Sequence, residues 1–231
     1  EIRLWKNLQI LPGFRYVYNE MFKNSFTPKI ALMYTLGNFN FRASYAAGFK
    51  TPSIQELYYD YENRGAITVG NPDLKPEKAN YYNINVEYAG KYLNISANGY
   101  INDVKDIIEK YDIGATDEEK ANGIKTHNMY QNLDKASIKG FDISANSYLG
   151  AGFSAAGSYN CVYAADDSGH RLSESVRHAA TFRAGWSHEW NKYTLRANVN
   201  GRIQGSKYIY KKTTDKKTGE DIYTDVSAPK Y

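Results

Sequence analysis

The stretch FNFRASYAAGFKTPSIQELYY, residues 39–59, decides the fold. In its first half Phe39, Phe41, Ala43, Tyr45, Ala47 and Phe49 are apolar, whereas Asn40, Arg42, Ser44 and Gly48 between them are polar or small. A period of two marks a strand whose two faces meet different environments. The second half breaks that period, and the segment GNPDLKPE at 70–77 closes the break. Its two prolines, Pro72 and Pro76, suit a rigid, extended approach to the next strand.

The same alternation recurs on both sides. LQILPGFRYVY places Leu8, Ile10, Phe14, Tyr16 and Tyr18 on one side and Gln9, Gly13 and Arg15 on the other, and KIALMYTL offers Ile30, Leu32, Tyr34 and Leu36. Gly37 and Asn38 then make a tight hairpin turn into Phe39. After a long loop from Lys50 to about Asn80, YYNINVEY resumes the alternation and turns at Gly90 into the segment YLNISANGYINDVKDIIEKY, with a helical turn the alternative for its later part DVKDIIEKY. Beyond the polar loop GATDEEKANGIKT come HNMYQNLDKASIKGFDISANSYL, a turn at Gly150, FSAAGSYNCVY, and the loop AADDSGHRLSES. A strand from near Val176 through Trp190, a short turn at Asn191 and Lys192, and YTLRANVNGRI follow. The tail from Gln204 reads as a further long loop entering a tenth strand near DVSAPKY.

Every second connection is therefore tight and every other one long and polar. An up-and-down transmembrane β-barrel has this parity, with short turns on one side of the membrane and long loops on the other. A soluble β-sandwich, the rival all-β reading, would not keep that parity through Greek-key crossings. Arg15, Arg42, Arg183, Arg196 and Arg202 fall mid-strand on the polar face, where a wet lumen accepts them and lipid or a dry core does not. The plainer alternative is the solvated side of an ordinary sheet.

Composition agrees with both readings. Apolar residues make up 42% and the mean hydropathy is −0.63, with no apolar run long enough for a spanning helix; a barrel strand buries only alternate residues in lipid. Tyrosine is in excess at 22 of 231 residues, and its amphipathic ring favours a membrane interface. Cys161 is the one cysteine, so no internal disulfide framework and no cysteine-based zinc site is possible. A net charge of +4 without a block of one sign gives no reason to expect nucleic acid.

GFKTPSIQELYY and GNPDLKPE resemble the paired motifs of the TonB-dependent outer-membrane receptors, in the same order and with strands on either side. The residues that carry the resemblance are Gly48, Phe49, Pro52, Glu56 and Leu57 in the first half and Asn71, Pro72, Leu74, Lys75, Pro76 and Glu77 in the second. It implies a location in the outer membrane of a Gram-negative bacterium and contact with outer-membrane lipid. It further implies a barrel of about 22 strands around a plug, of which this chain, read as a single domain over residues 1–231, would supply nine or ten without the plug or the final strand. The implied activity is import of a bulky, scarce nutrient such as a ferric siderophore, haem or cobalamin. Energy would come from the TonB complex through regions outside this segment. No enzymatic activity and no resident cofactor is expected, because no Ser-His-Asp pattern or other convergent catalytic set is present; an outer-membrane barrel enzyme is the weaker alternative and a sandwich adhesin or structural surface protein the other.

The ligand is less legible. Haem receptors of this family commonly carry a histidine between the two motifs, but here that interval has none; His127, His170, His178 and His188 lie elsewhere, only the first two in expected outer loops. Tyr58, Tyr59 and Tyr61 stand in the interval with Arg64, and these are the candidate ligand contacts, with simple decoration of an outer loop the plainer account. The Asn94–Ser96 glycosylation pattern lies inside a strand and is discounted. Asp166, Asp167 and His170 offer too few oxygens for a hard cation, so no metal site is assigned.

Overall fold

The computed structural model describes residues 2–22, 24–167, 169, 171–172, 175–208, 210–214 and 221–225. Its strands are β1 (Ile2–Trp5), β2 (Leu8–Val17), β3 (Ser25–Leu36), β4 (Phe39–Lys50), β5 (Tyr61–Asn63), β6 (Ala66–Val69), β7 (Glu77–Ala89), β8 (Leu93–Asp112), β9 (Thr126–Gly150), β10 (Phe153–Asp166), β11 (His178–Trp190), β12 (Tyr193–Gln204), β13 (Tyr210–Thr214) and β14 (Asp221–Asp225). Two short helices, α1 (Ile54–Tyr58) and α2 (Asp117–Ala121), sit in loops.

Ten strands form one antiparallel meander in the order β1-β2-β3-β4-β7-β8-β9-β10-β11-β12, so every strand pairs with its neighbours along the main path. A sandwich would divide them between two packed sheets. At one end the connections are tight: Gly37 turns at φ +57°, Asn191 at φ +42°, and the turn after β9 takes Gly150, Ala151 and Gly152 through φ +88°, +49° and +82°. At the other end run the long connections 18–24, 51–76, 113–125 and 167–177. The parity read from the sequence is thus present, and the long connections define an outer end of the sheet.

Register keeps the two faces apart. On one face lie the rows Leu36, Phe39, Tyr88, Ile95, Ala145 and Tyr34, Phe41, Val86, Ala97, Ile143, Tyr159. The rows between them are polar: Thr35, Asn40, Glu87, Ser96, Ser144, Ser158, Thr181, Arg202, and next to it Arg42, Asn85, Asn98, Asp142, Asn160. A slip of one residue would exchange the faces, so each row reinforces the register of the next. Large apolar side chains on the first face have no protein cover: Phe14 is 75% exposed, Ile84 67% and Val199 66%. Buried apolar residues, including Leu57, Leu74, Ile108, Ala136 and Ala164, gather instead at the outer end.

DVKDIIEKY continues the strand and does not take the alternative helical turn, because β8 pairs with β9 as far as Asp112 opposite Asn128 and these ladder bonds outweigh a local helical spacing. Two expectations need correction. β1, short and with every residue exposed, precedes the first expected strand. In the tail β13 and β14 pair with each other, antiparallel, in a sheet of their own, and most of the expected tenth strand near DVSAPKY lies outside the described residues.

Candidate functional site

The excursion between β4 and β7 is a folded unit built by the motif residues. Pro52 is buried, and Ser53 caps α1: its hydroxyl accepts from the Glu56 amide at 3.2 Å while the Glu56 carboxylate accepts from the Ser53 amide at 2.7 Å. This reciprocal box satisfies two donors that a helix start leaves open. Burial alone pushes the Glu56 carboxyl up, but the Ser53 amide and hydroxyl together with Lys50 outweigh it and hold the carboxyl below its ordinary value.

Beyond α1 the chain turns through β5 and β6 and returns under it. Gly70 passes so near the helix end that a Cβ there would lie 2.6 Å from the Tyr58 nitrogen and 2.7 Å from the Leu57 carbonyl, so only glycine fits. Its amide donates to Asp60 Oδ1 at 2.9 Å. Asn71 then donates from its amide to the Glu56 carbonyl at 2.9 Å and from Nδ2 to the Tyr130 carbonyl at 2.8 Å, tying the loop to β9. Leu57 and Leu74, each 3% exposed, pack with Ile108 of β8 against Phe22 and Tyr130. Asn132 completes the join: its Oδ1 accepts from the Lys75 amide at 2.8 Å, and its Nδ2 donates to the Lys75 and Asp106 carbonyls at 3.0 and 2.7 Å. The second half of the excursion also adds a strand, since β6 runs parallel to the start of β9 with Ile67 opposite His127.

The motif residues Pro52, Glu56, Leu57, Asn71, Leu74, Lys75 and Glu77 therefore act as framework, and Gly48 and Phe49 lie in β4 opposite Ala79 and Lys78. Tyr58 and Tyr59 are the exposed products of that framework, at 55% and 57%; the Tyr59 and Tyr61 rings stand 5.7 Å apart. Tyr58 reaches across to Met21 Sδ at 3.9 Å, beside a cavity of about 520 Å³ between the 18–24 connection and α1. Arg64 occupies the tip of the β5–β6 turn at φ +51°, exposed. The candidate tyrosines are thus brought to one region, with Arg64 at the hairpin tip.

The five arginines share the polar face by register but do not form one cluster. Arg42 Nη1 donates to Glu87 Oε2 at 2.7 Å and to Asn85 Oδ1 at 3.0 Å. Asn98 donates to Asp142 at 3.2 Å, and Asn160 donates to the same carboxylate. Arg183 stands opposite Asn200, Arg202 opposite Thr181, Arg196 opposite Ser187 and Arg15 opposite Thr27. His127 is a strand residue, not a loop residue: its Nδ1 lies 2.8 Å from Glu119 Oε1, linking β9 to the cap of α2. His170 lies outside the described residues, and among those described no group of three or more metal-ligating side chains is arranged to hold an ion.

Sequence reasoning missed Asn132 and the Glu119–His127 contact, and it marked the GNPDLKPE motif without the packing of Gly70 or its bond to Asp60. Only Ser53–Glu56 and Thr116–Glu119 carried a signal, the S/T-x-x-E pattern of a helix start.

A single antiparallel sheet in chain order, polar on one face and bare apolar on the other, defines a barrel-wall protein. The family model for the TonB dependent receptor-like β-barrel matches residues 1–231, and the chain belongs to that family. It is 27% identical over 203 residues to the haem/hemopexin utilization protein C of Haemophilus influenzae, covering 76% of this chain and 28% of that protein. It is 25% identical over 128 residues to a probable hemoglobin and hemoglobin-haptoglobin-binding protein of the same organism, covering 53% and 13%. Among solved structures, the ferric enterobactin receptor of Pseudomonas aeruginosa superposes with a TM-score of 0.76 at 18% identity, over 99% of this chain and 35% of that one. The siderophore receptor PirA of Acinetobacter baumannii gives 0.75 at 16%, over 99% and 36%. The chain spans about a third or less of the length of these relatives.

Proposed function

We propose that the chain is part of the wall of an outer-membrane active importer, taking up a bulky iron chelate or haem, with cobalamin the remaining member of that ligand class. The apolar face meets lipid, and the polar face, with Arg15, Arg42, Arg183, Arg196 and Arg202, lines the lumen. Tyr58, Tyr59, Tyr61 and Arg64 meet ligand at the outer end. TonB supplies the energy through parts of the receptor beyond this segment. The observation that carries the reading is the docked excursion 51–76: a framework of buried motif residues fixes exposed tyrosines at the mouth of the sheet. An aromatic platform held rigid in this way suits a large planar or catecholate ligand, because stacking area is gained with little loss of side-chain freedom.

The test is growth of a strain lacking the parent gene, complemented with the full-length receptor, on haemin, ferric siderophores or cobalamin as the limiting nutrient. Rescue on one of these that disappears with Tyr58→Ala/Tyr59→Ala supports the assignment. Absence of rescue on all three refutes it.

A further inference from the structure

The arginines of β11 and β12 stand in different company from Arg42. Arg42 is closed by the Glu87 carboxylate at 2.7 Å, and Asp142, the next acid along the polar rows, accepts from Asn98 and Asn160. Among the described residues neither Arg183 nor Arg202 has an acidic side chain within ion-pair distance. Glu189 shares their face by the period of two but lies at the far end of β11. Register makes the two arginines diagonal neighbours: Arg183 faces Asn200 across the β11–β12 ladder and Arg202 faces Thr181. Such neighbours stand about 7–8 Å apart, within reach of long side chains. A cavity of about 440 Å³ opens there, with both arginines in its lining. Its floor is low because β9 and β10 put only short side chains, Ser144, Ala156 and Ser158, into the same two rows.

Two adjacent positive charges repel, and no carboxylate among the described residues offsets them. An anion seated between them removes the repulsion and gains hydrogen bonds. Guanidinium is planar and always charged, and its fork meets a carboxylate or phosphate through two parallel bonds. The floor adds a donor. Ser158 Oγ and Thr181 Oγ1 are 2.7 Å apart, so one hydroxyl donates to the other and the second keeps its own hydrogen for a guest. A site of cationic forks and a spare hydroxyl has much to offer an oxyanion and little to offer a cation.

We propose that Arg183 and Arg202 form an oxyanion seat on the polar wall, which takes a carboxylate or phosphate group of a ligand inside the lumen. The assignment rests on the reading of the polar face as the lumen of an importer, and it narrows the ligand to compounds that carry such groups. The other source of the same chemistry is a carboxylate from another part of the receptor, and the experiment separates the two.

The experiment titrates the full-length receptor, purified in non-ionic detergent, with inorganic pyrophosphate and separately with malonate at constant ionic strength. Binding is read by calorimetry, and the thermal midpoint is recorded without either probe. The wild type is expected to bind at least one probe, and R183Q/R202Q to bind it about tenfold more weakly, the loss expected for charge-assisted hydrogen bonds. R183K/R202K keeps the charge without the fork and should fall between them. Lys78 and Lys105 are register partners on the opposite face, so K78Q/K105Q removes the same charge and should bind as the wild type does. Without probe, R183Q/R202Q should melt no lower than the wild type, because it loses a repulsion. Equal binding by wild type and R183Q/R202Q overturns the proposal, as does an equal loss in K78Q/K105Q. A wild type that binds neither probe, with R183Q/R202Q melting lower, means that the arginines hold a carboxylate of the receptor itself and overturns the seat for a free ligand. Rescue of growth by a receptor that binds neither probe sinks the seat alone, whereas probe binding that depends on the two arginines in a receptor that rescues growth on no nutrient supports the seat and sinks the importer reading.

Discussion

Lys50 and Glu77, at opposite ends of the 51–76 excursion, are register partners across β4 and β7, and Lys50 Nζ meets Glu77 Oε1 at 3.0 Å. The same carboxylate oxygen accepts from the Ile108 amide at 3.1 Å, and Lys50 also reaches Glu56 at 3.4 Å. One cluster thus closes the loop at its base, anchors it to β8 and joins it to the capped helix. Lys50 is 53% exposed, so solvent screens the ion pair and its own contribution is about 0–1 kcal/mol. The hydrogen bond to the Ile108 amide matters more, because Ile108 is only 9% exposed and its donor has no ready replacement. Glu77→Ala should loosen the excursion by about 1–3 kcal/mol, read as faster amide exchange across 51–76 with the lower halves of β4 and β7 unchanged. Lys50→Ala should have the smaller effect of the two.

The capping box makes the excursion sensitive to acid. The Glu56 carboxyl titrates below its ordinary value in the folded protein, so its stabilisation is complete above the unfolded value and is lost as pH falls through the folded one. Glu119, whose carboxyl is lowered first by the Thr116 amide and also by the Thr116 hydroxyl and His127, follows the same sign at α2. The protection factors of the amides at residues 53–59 and 116–122, taken against the intrinsic rate at each pH, should therefore fall as the solution is acidified below the usual carboxylate range. Glu56→Gln keeps an acceptor for the Ser53 amide and should flatten the response at the first helix while leaving the second intact. A Gln variant as acid-sensitive as the wild type would show that other groups govern the loop.

Gly70 and Gly99 make a paired test of packing. A methyl at Gly70 meets the Leu57–Tyr58 backbone inside 3 Å, and backbone cannot swing aside as a flexible side chain can. Gly70→Ala should destabilise the excursion by about 1–3 kcal/mol, seen as protease cleavage within 51–76. Nothing lies within 4 Å of a methyl at Gly99 in β8, so Gly99→Ala should leave cleavage and thermal unfolding as they are.

Legibility in the sequence followed the distance over which each feature is encoded. The alternation through Phe39, Phe41 and Ala43 is local and survives into the structure, since each apolar residue meets an apolar partner at Tyr88, Val86 and Ile84. β1 was missed because IRLW offers only two alternating apolar residues before Trp5. The late part of β8 was ambiguous because Val104, Ile107 and Ile108 fall at helical spacing, and only the partner strand decides between the two periods. The motif segments marked the right place but not their role: that Leu57 and Leu74 pack on Ile108, or that Asn132 clamps Lys75, depends on contacts between residues far apart in the chain. The Glu119–His127 contact is of the same kind, joining a loop helix to a strand. The candidate tyrosines drew notice because they lie inside the motif interval, and the structure places Tyr58 and Tyr59 exposed there.

Ile84 tests the membrane reading most directly. It sits mid-strand in β7, opposite Ala43 and Gly99, and is 67% exposed on the apolar face. If lipid covers that face, Ile84→Arg places a guanidinium in hydrocarbon and should cost about 2–4 kcal/mol near the midplane, with reduced recovery of folded full-length receptor in the outer-membrane fraction. If water covers it, the change is an ordinary surface substitution within about 0.5 kcal/mol. Asn83→Arg, one residue earlier and therefore on the polar face beside Ser44 and Tyr100, carries the same added charge. Asn83 Nδ2 donates to Asn98 Oδ1 at 2.6 Å and to the Tyr81 hydroxyl at 3.4 Å, so this control should show only the loss of those two bonds. A large deficit for Ile84→Arg against a small one for Asn83→Arg means lipid on one face and water on the other, the asymmetry a barrel wall requires. Equal deficits, or none in either, would remove the membrane from the explanation of why Phe14, Ile84 and Val199 stand uncovered.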